Sequence, residues 1–289
     1  MKFLIFLSCL ALERYLNLGH YLYRFNWLTT YAKQLHKWLG NTWLWQNSYV
    51  AVAVITVPVM LLVEAIYLAV GHWLLLAKFF VGLLVFLYCL GPQDLYHQLN
   101  KYLVAVEDND AETAHKAAAE LVDKPLTEHT VQLDRLILSQ IFYQANERLF
   151  AVLFWFLLLG PLGAVFYRMV ALLHHYVKAK NSFYSVQFIK VLQQVQGILE
   201  WVPARLTALI YGIVGKFSDT AGYWLDTVFS GIEINHALLT KAGFLALKIK
   251  KNTEITIENV RAGLILIDRA TVVYLIASAV ILVSWLYIL

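Results

Sequence analysis

The chain has 289 residues, 60% of them hydrophobic and only 15% charged, with nine Trp, seventeen Tyr and sixteen Phe. Its mean hydropathy is +0.62, whereas a soluble domain carries about a quarter of its residues as charges; a soluble enzyme is excluded and an integral membrane protein is indicated. The net charge of +4 is small, so no nucleic-acid partner is expected, and the placement of the charges matters more than their sum.

The Met1-Lys2 start and its apolar run imitate a secretory signal, but Glu13-Arg14 stand where a small-residue cleavage site belongs. Segment 3–23 is therefore read as a retained, membrane-embedded helix. Next come two apolar runs, 49–70 with Glu64 as its one charge and 72–91 with Lys78 as its one charge. Each is long enough for a hydrocarbon core of ~30 Å. Joined only at Gly71, they form an antiparallel hairpin in which Glu64 and Lys78 lie at one depth, roughly 10 Å from the turn. Ionisable groups at depth are costly and usually paired, so an intramembrane ion pair is expected; the alternative is that each snorkels separately to the near surface.

Segment 93–147 is the polar part of the chain, with ten acidic and four basic residues. Leu95, Leu99, Tyr102, Leu103 and Val106 keep helical spacing and predict an amphipathic helix. Asn109 with Glu112 reads as a capping box opening a second helix through Leu121. Asp123-Lys124-Pro125 makes the turn, and from about Glu128 a third helix runs into the apolar run at Leu149.

That run, 149–173, contains Gly160-Pro161 and Gly163. Pro161 removes a helical hydrogen bond and disfavours helix at the residue before it. The run is either a re-entrant element of two short halves or a kinked full span. Arg14, Arg24, Lys33 and Lys37 place the first loop inside, and a single crossing at 149–173 would put the Lys-rich segment 174–269 outside, against the charge rule. Re-entry is favoured on that ground. Segment 174–269, with eleven basic and seven acidic residues, reads as basic and amphipathic, with Ala204 to Val214 as an interfacial helix. The uncharged run 270–289 is a further span. The whole predicts one membrane-embedded unit, 1–289: an all-α polytopic protein with four to five membrane-embedded helical segments and amphipathic cytoplasmic helices in a bacterial inner membrane.

Few motifs survive inspection. GIVGKFS, Gly212 to Ser218, lacks the first Gly and the hydroxyl of a phosphate loop, and a helix end with a snorkelling Lys216 explains it better. His174-His175 have no nearby i+4 partner for a metal, and Asp108, Asp110 and Glu112 lack the Gly and terminal Glu of a calcium loop. Cys9 and Cys89 lie in apolar runs without ligand spacing. No metal and no cofactor are expected, and no catalytic residue is assigned. Asn146 and Glu147 entering the membrane, Arg168 leaving it and Arg205 beyond are the candidate ligand-binding residues. Glu147 and Arg168 could meet if the chain turns back.

The run ANERLFAVLFWFLLLGPLGAVFYR, preceded by LGPQDLYHQLNKYL and AETAHKAAAEL and followed by WVPARLTAL, resembles the AmpE family of inner-membrane proteins, over nearly the whole chain. That family is associated with regulation of chromosomal β-lactamase, and it is similar to the CobD/CbiB membrane enzymes of cobalamin synthesis, which attach an aminopropanol arm in an ATP-dependent amide-forming step. The synthase pattern has an N-terminal G-D-P…H-P signature, an E-N pair before the membrane run and N-T-L-D after it. Here the N-terminus reads LERYLNLGHYLYR, Glu147 is kept but Arg148 stands for Asn, and Ala171 to His174 lack the polar run. The resemblance implies a retained scaffold with most synthase chemistry lost. It further implies a non-catalytic modulator or sensor in β-lactamase induction and peptidoglycan-recycling signalling. Its partners would be the lipid bilayer, the amidase AmpD by functional link, and a peptidoglycan-fragment or lipid ligand. The alternative is a membrane enzyme on that scaffold, acting on a lipid or cell-wall fragment with a nucleotide.

Overall fold

A computed structural model describes residues 4–9, 12, 26–90, 92–122, 133–179, 185–250 and 253–288. Among them only helices occur as regular structure, and the chain divides into two compact units, Met1–Leu90 with Ala151–Leu199 and Gly91–Phe150 with Glu200–Leu289. The expected embedded segment 3–23 falls largely outside the described residues, as does the predicted turn at Asp123 to Pro125.

In the first unit, α1 (Asn26–Leu39) and the short α2 (Trp43–Gln46) precede α3 (Ser48–Trp73) and α4 (Leu75–Cys89). Asn47 opens α3 by accepting the Tyr49 N–H at 3.1 Å. The hairpin turns at Leu74, which is extended, rather than at Gly71, which lies inside α3. As a result α4 has 15 residues, about 22 Å of helix, and falls short of the expected twenty-residue span. The outer faces of α3 and α4 expose Leu61, Leu62, Leu68, Leu76 and Leu84, the composition of a surface bathed in hydrocarbon rather than water.

The run 149–173 is not one helix. α8 (Ala151–Leu159) ends at Gly160, whose φ is 73°, and α9 (Pro161–Ala179) begins at once. Only glycine enters that left-handed region without a Cβ penalty, while Pro161 has no N–H to lose and suits a first helical position. The two helices then fold against each other. A Cβ at Gly163 would stand 2.4 Å from the Trp155 carbonyl oxygen, so backbone meets backbone eight positions apart, which a straight helix forbids. α9 also packs on α1, α3 and α4. Phe86 of α4 stacks on Phe156 of α8 with centroids 4.1 Å apart.

The second unit starts with α5 (Pro92–Glu107) and α6 (Ala111–Val122). Between them Asn109 adopts φ 57°, and the Asp110 N–H reaches the Ala105 carbonyl at 2.8 Å while the Asn109 N–H reaches Val106 at 3.2 Å, a Schellman closure. The cap of α6 is Asp110, whose carboxylate accepts the Thr113 N–H at 3.1 Å; Asn109 ends the previous helix and does not form the expected capping box. α7 (Leu133–Ala145) is central, packing on α5, α6, α12 (Asn235–Ala246) and α13 (Ile257–Ile288). α13 begins well before the expected 270–289 span. Its polar first half is tied to α5 by an Arg261–Glu107 ion pair and by the Tyr96 hydroxyl donating to Asp268 at 2.7 Å.

The largest departure lies in 174–269. Instead of short interfacial pieces, α10 runs unbroken over Val186–Val214, followed by α11 (Phe217–Thr227). Three helices among the described residues are long and apolar enough to cross a membrane, over Ser48–Gly71, Val186–Val214 and Ile257–Ile281, with Leu76–Cys89 as a shorter apolar helix. The protein is thus all-α and polytopic, with three such helices among the described residues. The sequence reading missed α10 because its apolar positions are interrupted by Gln193, Gln194, Gln196, Glu200 and Arg205, most of which the fold buries or hydrogen-bonds.

The hairpin sets up a stability contrast. Gly163→Ala should destabilise the protein by about 1–3 kcal/mol, the usual cost of overpacking. Gly222→Ala, in α11 with nothing within 4 Å of its added Cβ, should stabilise by ~0.4–1 kcal/mol. Thermal unfolding of the two variants in detergent, read by circular dichroism, checks the opposite signs.

Candidate functional site

α7 passes into α8 through a five-residue π-helical turn, Asn146–Phe150. A π turn inserts one extra residue into the helical register, and such turns gather at functional sites. Two consecutive polar residues lie buried in this turn: Asn146 is 0% and Glu147 2% exposed. Asn146 Oδ1 accepts the Thr207 hydroxyl at 2.9 Å, while its Nδ2, equally buried, has no hydrogen-bond partner among the described residues.

One turn earlier on α7, the Tyr143 hydroxyl donates to Glu200 Oε2 at 3.4 Å, and its ring packs on His236 with centroids 4.8 Å apart. Glu200 is as buried as Glu147. Burial first, and then the Glu200 and Glu147 carboxylates, push the Tyr143 phenol well above its usual range. It therefore stays protonated, a neutral donor between two acids. Tyr143, Glu200, Thr207 and His236 were not singled out from sequence. Glu200 did carry a signal, since a carboxylate inside an apolar helix is by default a functional candidate.

Arg205 has a different task. Its Nε donates to Val228 O at 3.0 Å, Nη1 to Trp201 O at 3.0 Å and to Asn235 Oδ1 at 2.6 Å, and Nη2 to Ser230 O at 2.7 Å and Gly231 O at 3.2 Å. A guanidinium has five N–H donors, and all are taken, with the Trp201 ring 4.4 Å away as a cation–π partner. Two indoles complete the arrangement, Trp201 donating to Ser230 O at 3.0 Å and Trp224 to Arg205 O at 2.8 Å. No donor of Arg205 remains for a ligand. The candidate is reassigned as the anchor of the 228–231 turn, which explains the WVPAR sequence as a structural signature.

Arg168 lies on α9 in the first unit, 7% exposed, in the wall of a cavity of about 360 Å³ lined chiefly by apolar side chains of α1, α3, α4 and α9. Glu147 belongs to the second unit, so the pairing of Glu147 with Arg168 stays an expectation. In the α3–α4 hairpin the Lys78 ammonium lies 4.9 Å from the Tyr67 ring centroid. No ion pair joins Lys78 to Glu64 among the described residues. Near the rejected phosphate-loop motif, Lys216 pairs with Asp219 at 2.7 Å, both side chains being less than half exposed. The His174 ring bonds Gln196 at 2.5 Å. No cluster able to hold a metal occurs among the described residues.

Comparison with known proteins bears on this geometry. The family model described as CobD/Cbib protein matches residues 11–285. A cobalamin biosynthesis protein CobD of Chromobacterium violaceum is 28% identical over 135 residues, 46% of this chain and 43% of that one. The same-named protein of Stutzerimonas stutzeri is 27% identical over 147 residues, 49% and 47% of the two chains. A probable cobalamin biosynthesis protein CobD of Thermococcus kodakarensis is 30% identical over 127 residues, 43% and 42%. The chain spans about half the length of the curated relatives it matches. No solved structure matches.

These findings overturn the non-catalytic reading. The family points to an enzyme scaffold of the amide-synthase kind, not to a signalling modulator. They give no support to the AmpE assignment, to β-lactamase induction or peptidoglycan recycling, or to a link with AmpD. The non-catalytic expectation rested on departures such as Arg148 and Ala171 to His174, and the family model matches residues 11–285 despite them; from outside the motif the fold adds a buried Glu200 beside a part-buried Tyr143.

Arg205→Met should lower the stability of the protein by more than ~3 kcal/mol, because charge-assisted bonds worth about 1.5–3 kcal/mol each are lost and buried carbonyls are stranded. Arg205→Lys should recover little of it, since an ammonium cannot reproduce the fork. Thermal unfolding, with proteolytic sensitivity of the 228–231 turn, measures both.

Proposed function

This chain belongs to the CobD/CbiB family, and on that premise we propose that it is a membrane enzyme whose reaction centre is the buried polar cluster on the π-helical turn. The observation that carries this reading is the Asn146 Nδ2, fully buried and without a partner among the described residues, beside a buried Glu147. An unsatisfied buried donor costs about 1–3 kcal/mol, and a native fold keeps such a group where something else completes it.

The reaction is amide formation between a carboxylic acid and an amine. The resemblance to the synthases implies ATP as co-substrate: phosphoryl transfer to the carboxylate makes an acyl phosphate, the amine attacks its carbonyl carbon, and phosphate leaves. Glu147 takes the proton that the amine sheds. The Asn146 amide donates to the oxygen on which negative charge builds, and such preorganised donors are worth most at that moment. Tyr143, held protonated, fixes the Glu200 carboxylate. No residue is assigned to the nucleotide. The acid is a lipid or a cell-wall fragment, because Ala171 to His174 and the N-terminus depart from the synthase pattern and the site lies in a membrane protein. The α8–α9 hairpin is re-entrant in a bacterial inner membrane, supported by the turn at Gly160 and by the basic residues on both sides of the run.

The detergent-purified full chain should consume ATP in the presence of an amine and a carboxylated lipid or muropeptide, with amide product detected by mass spectrometry. Glu147→Gln should abolish product. Asn146→Ala should lower kcat by ~10²–10³, as removal of an oxyanion donor does, while circular dichroism stays unchanged. Product formation by Glu147→Gln at the wild-type rate would refute the assignment.

A further inference from the structure

The α3–α4 hairpin takes no part in the proposed reaction, yet its apolar helices carry two ionisable side chains. Glu64 and Lys78 are both part-buried, and among the described residues no hydrogen bond or ion pair reaches either. Lys78 instead lies along α3. Its stem crosses Gly71, where an added Cβ would stand 2.7 Å from the Lys78 Cδ, and its ammonium ends 4.9 Å from the Tyr67 ring centroid. Gly71, Tyr67 and Glu64 follow one another along α3 at intervals of about a turn, so the ammonium stops roughly one turn, ~5 Å, short of Glu64. An ionisable group at membrane depth is costly and ordinarily has a partner.

Glu64 also belongs to a regular stripe. Val54, Val57, Leu61, Glu64, Leu68 and Gly71 alternate steps of three and four residues, the spacing of a heptad seam. None of them is buried, and Val57, Leu61 and Leu68 are 43%, 62% and 56% exposed. The seam faces away from α9. Val59 and Val63, which line the cavity with Met169, stand two positions beyond Val57 and Leu61 and so about 160° round the helix. One polar residue in an apolar seam fixes the register of two helices. In hydrocarbon it also supplies an interhelical bond where apolar contact gives little net attraction. A face with a carboxylate and, beside it, an ammonium is complementary to its own copy under a two-fold axis.

We propose that two copies of this chain associate through the α3 seam, about a two-fold axis along the membrane normal, with Glu64 of each copy pairing with Lys78 of the other. The axis sets equal depths side by side, and the Lys78 ammonium has to move only from the Tyr67 ring across the seam. Two reciprocal ion pairs form, and the exposed Val57, Leu61 and Leu68 pack against their counterparts. Lipid chains in the same place would cover the apolar residues and leave both charges unpaired.

The test is energy transfer between labelled copies of the full chain in phosphatidylcholine vesicles, followed as the protein is diluted with lipid. Wild type should dimerise, and Glu64→Gln should weaken dimerisation roughly tenfold, as the loss of two interhelical polar contacts of ordinary strength does. Glu64→Lys and Lys78→Glu should each self-associate poorly, because each variant gives both positions one sign. Mixed together, the two variant chains should pair with each other about as well as wild type, since every carboxylate then meets an ammonium. An ion pair closed within one chain gives no such preference. If a charge-reversed chain does not insert, disulfide trapping decides: Leu68→Cys on the seam should cross-link, whereas Ile66→Cys, also exposed but on another face, should not. Wild type that stays monomeric at every dilution overturns the proposal. So does mixing of the two reversed chains without preference, or equal cross-linking at positions 66 and 68.

Discussion

Pro203 has no N–H to offer the carbonyl of Leu199, four positions back along α10, and the Trp155 indole donates to that carbonyl at 3.0 Å instead. The exchange shows the constraint under which the whole chain folds. In hydrocarbon there is no water to take up a freed peptide group, so each break in a helix must be repaired by protein. The repairs are what make the breaks possible. Gly160 keeps its own N–H on the Phe156 carbonyl at 2.8 Å and gives its carbonyl to the Ala164 N–H at 3.3 Å. The chain therefore reverses there without stranding the turn's polar groups.

The same rule accounts for the charges. Arg205 is expensive to bury and is retained because it satisfies carbonyls that a turn cannot satisfy itself. Three carbonyls of 228–231, the side chain of Asn235 and the Trp201 carbonyl all converge on one guanidinium. A lysine, a compact cation without a planar fork, has no equivalent geometry. Arg205 is thus the helical counterpart of a staple: it joins α10 to the 228–231 turn through backbone carbonyls and to the start of α12 through the Asn235 side chain. Phe229, 90% exposed, shows that the turn owes its position to these bonds and not to a buried apolar tip.

Much of the fold was legible because periodicity and composition act locally. The apolar run of α3, the amphipathic α5 and the break at Gly160-Pro161 each follow from a few neighbouring residues. What failed was long-range. The extent of α10 was hidden because Gln196, Glu200 and Arg205 look like reasons to end a membrane helix. Each is buried against a partner contributed elsewhere: His174 for Gln196, Tyr143 for Glu200, and the 228–231 turn for Arg205. The capping box failed for a smaller reason, since Asn109 and Asp110 compete for one helix start and the left-handed geometry suits Asn as a helix end. In the candidate site, Asn146 and Glu147 could be named from sequence, but Tyr143, Glu200 and Thr207 could not. Only the fold brings α10 beside the π-helical turn.

That turn resolves the tension between a family match along the chain and a motif that departs from the family's letters. The chain is buried on every side here, from Gln144 and Ala145 through Asn146 and Glu147 to Leu149 and Phe150. The inserted residue changes the angular spacing of Asn146 and Glu147 within that interior, where Thr207 and the Tyr143–Glu200 pair supply polarity. Widening a helix costs hydrogen-bond geometry, and that cost is sustained only if the buried pair gains something in return. Thr207 accounts for the Asn146 oxygen, and nothing among the described residues accounts for its nitrogen. The proposed reaction rests on that nitrogen, buried at a turn where the helical register changes.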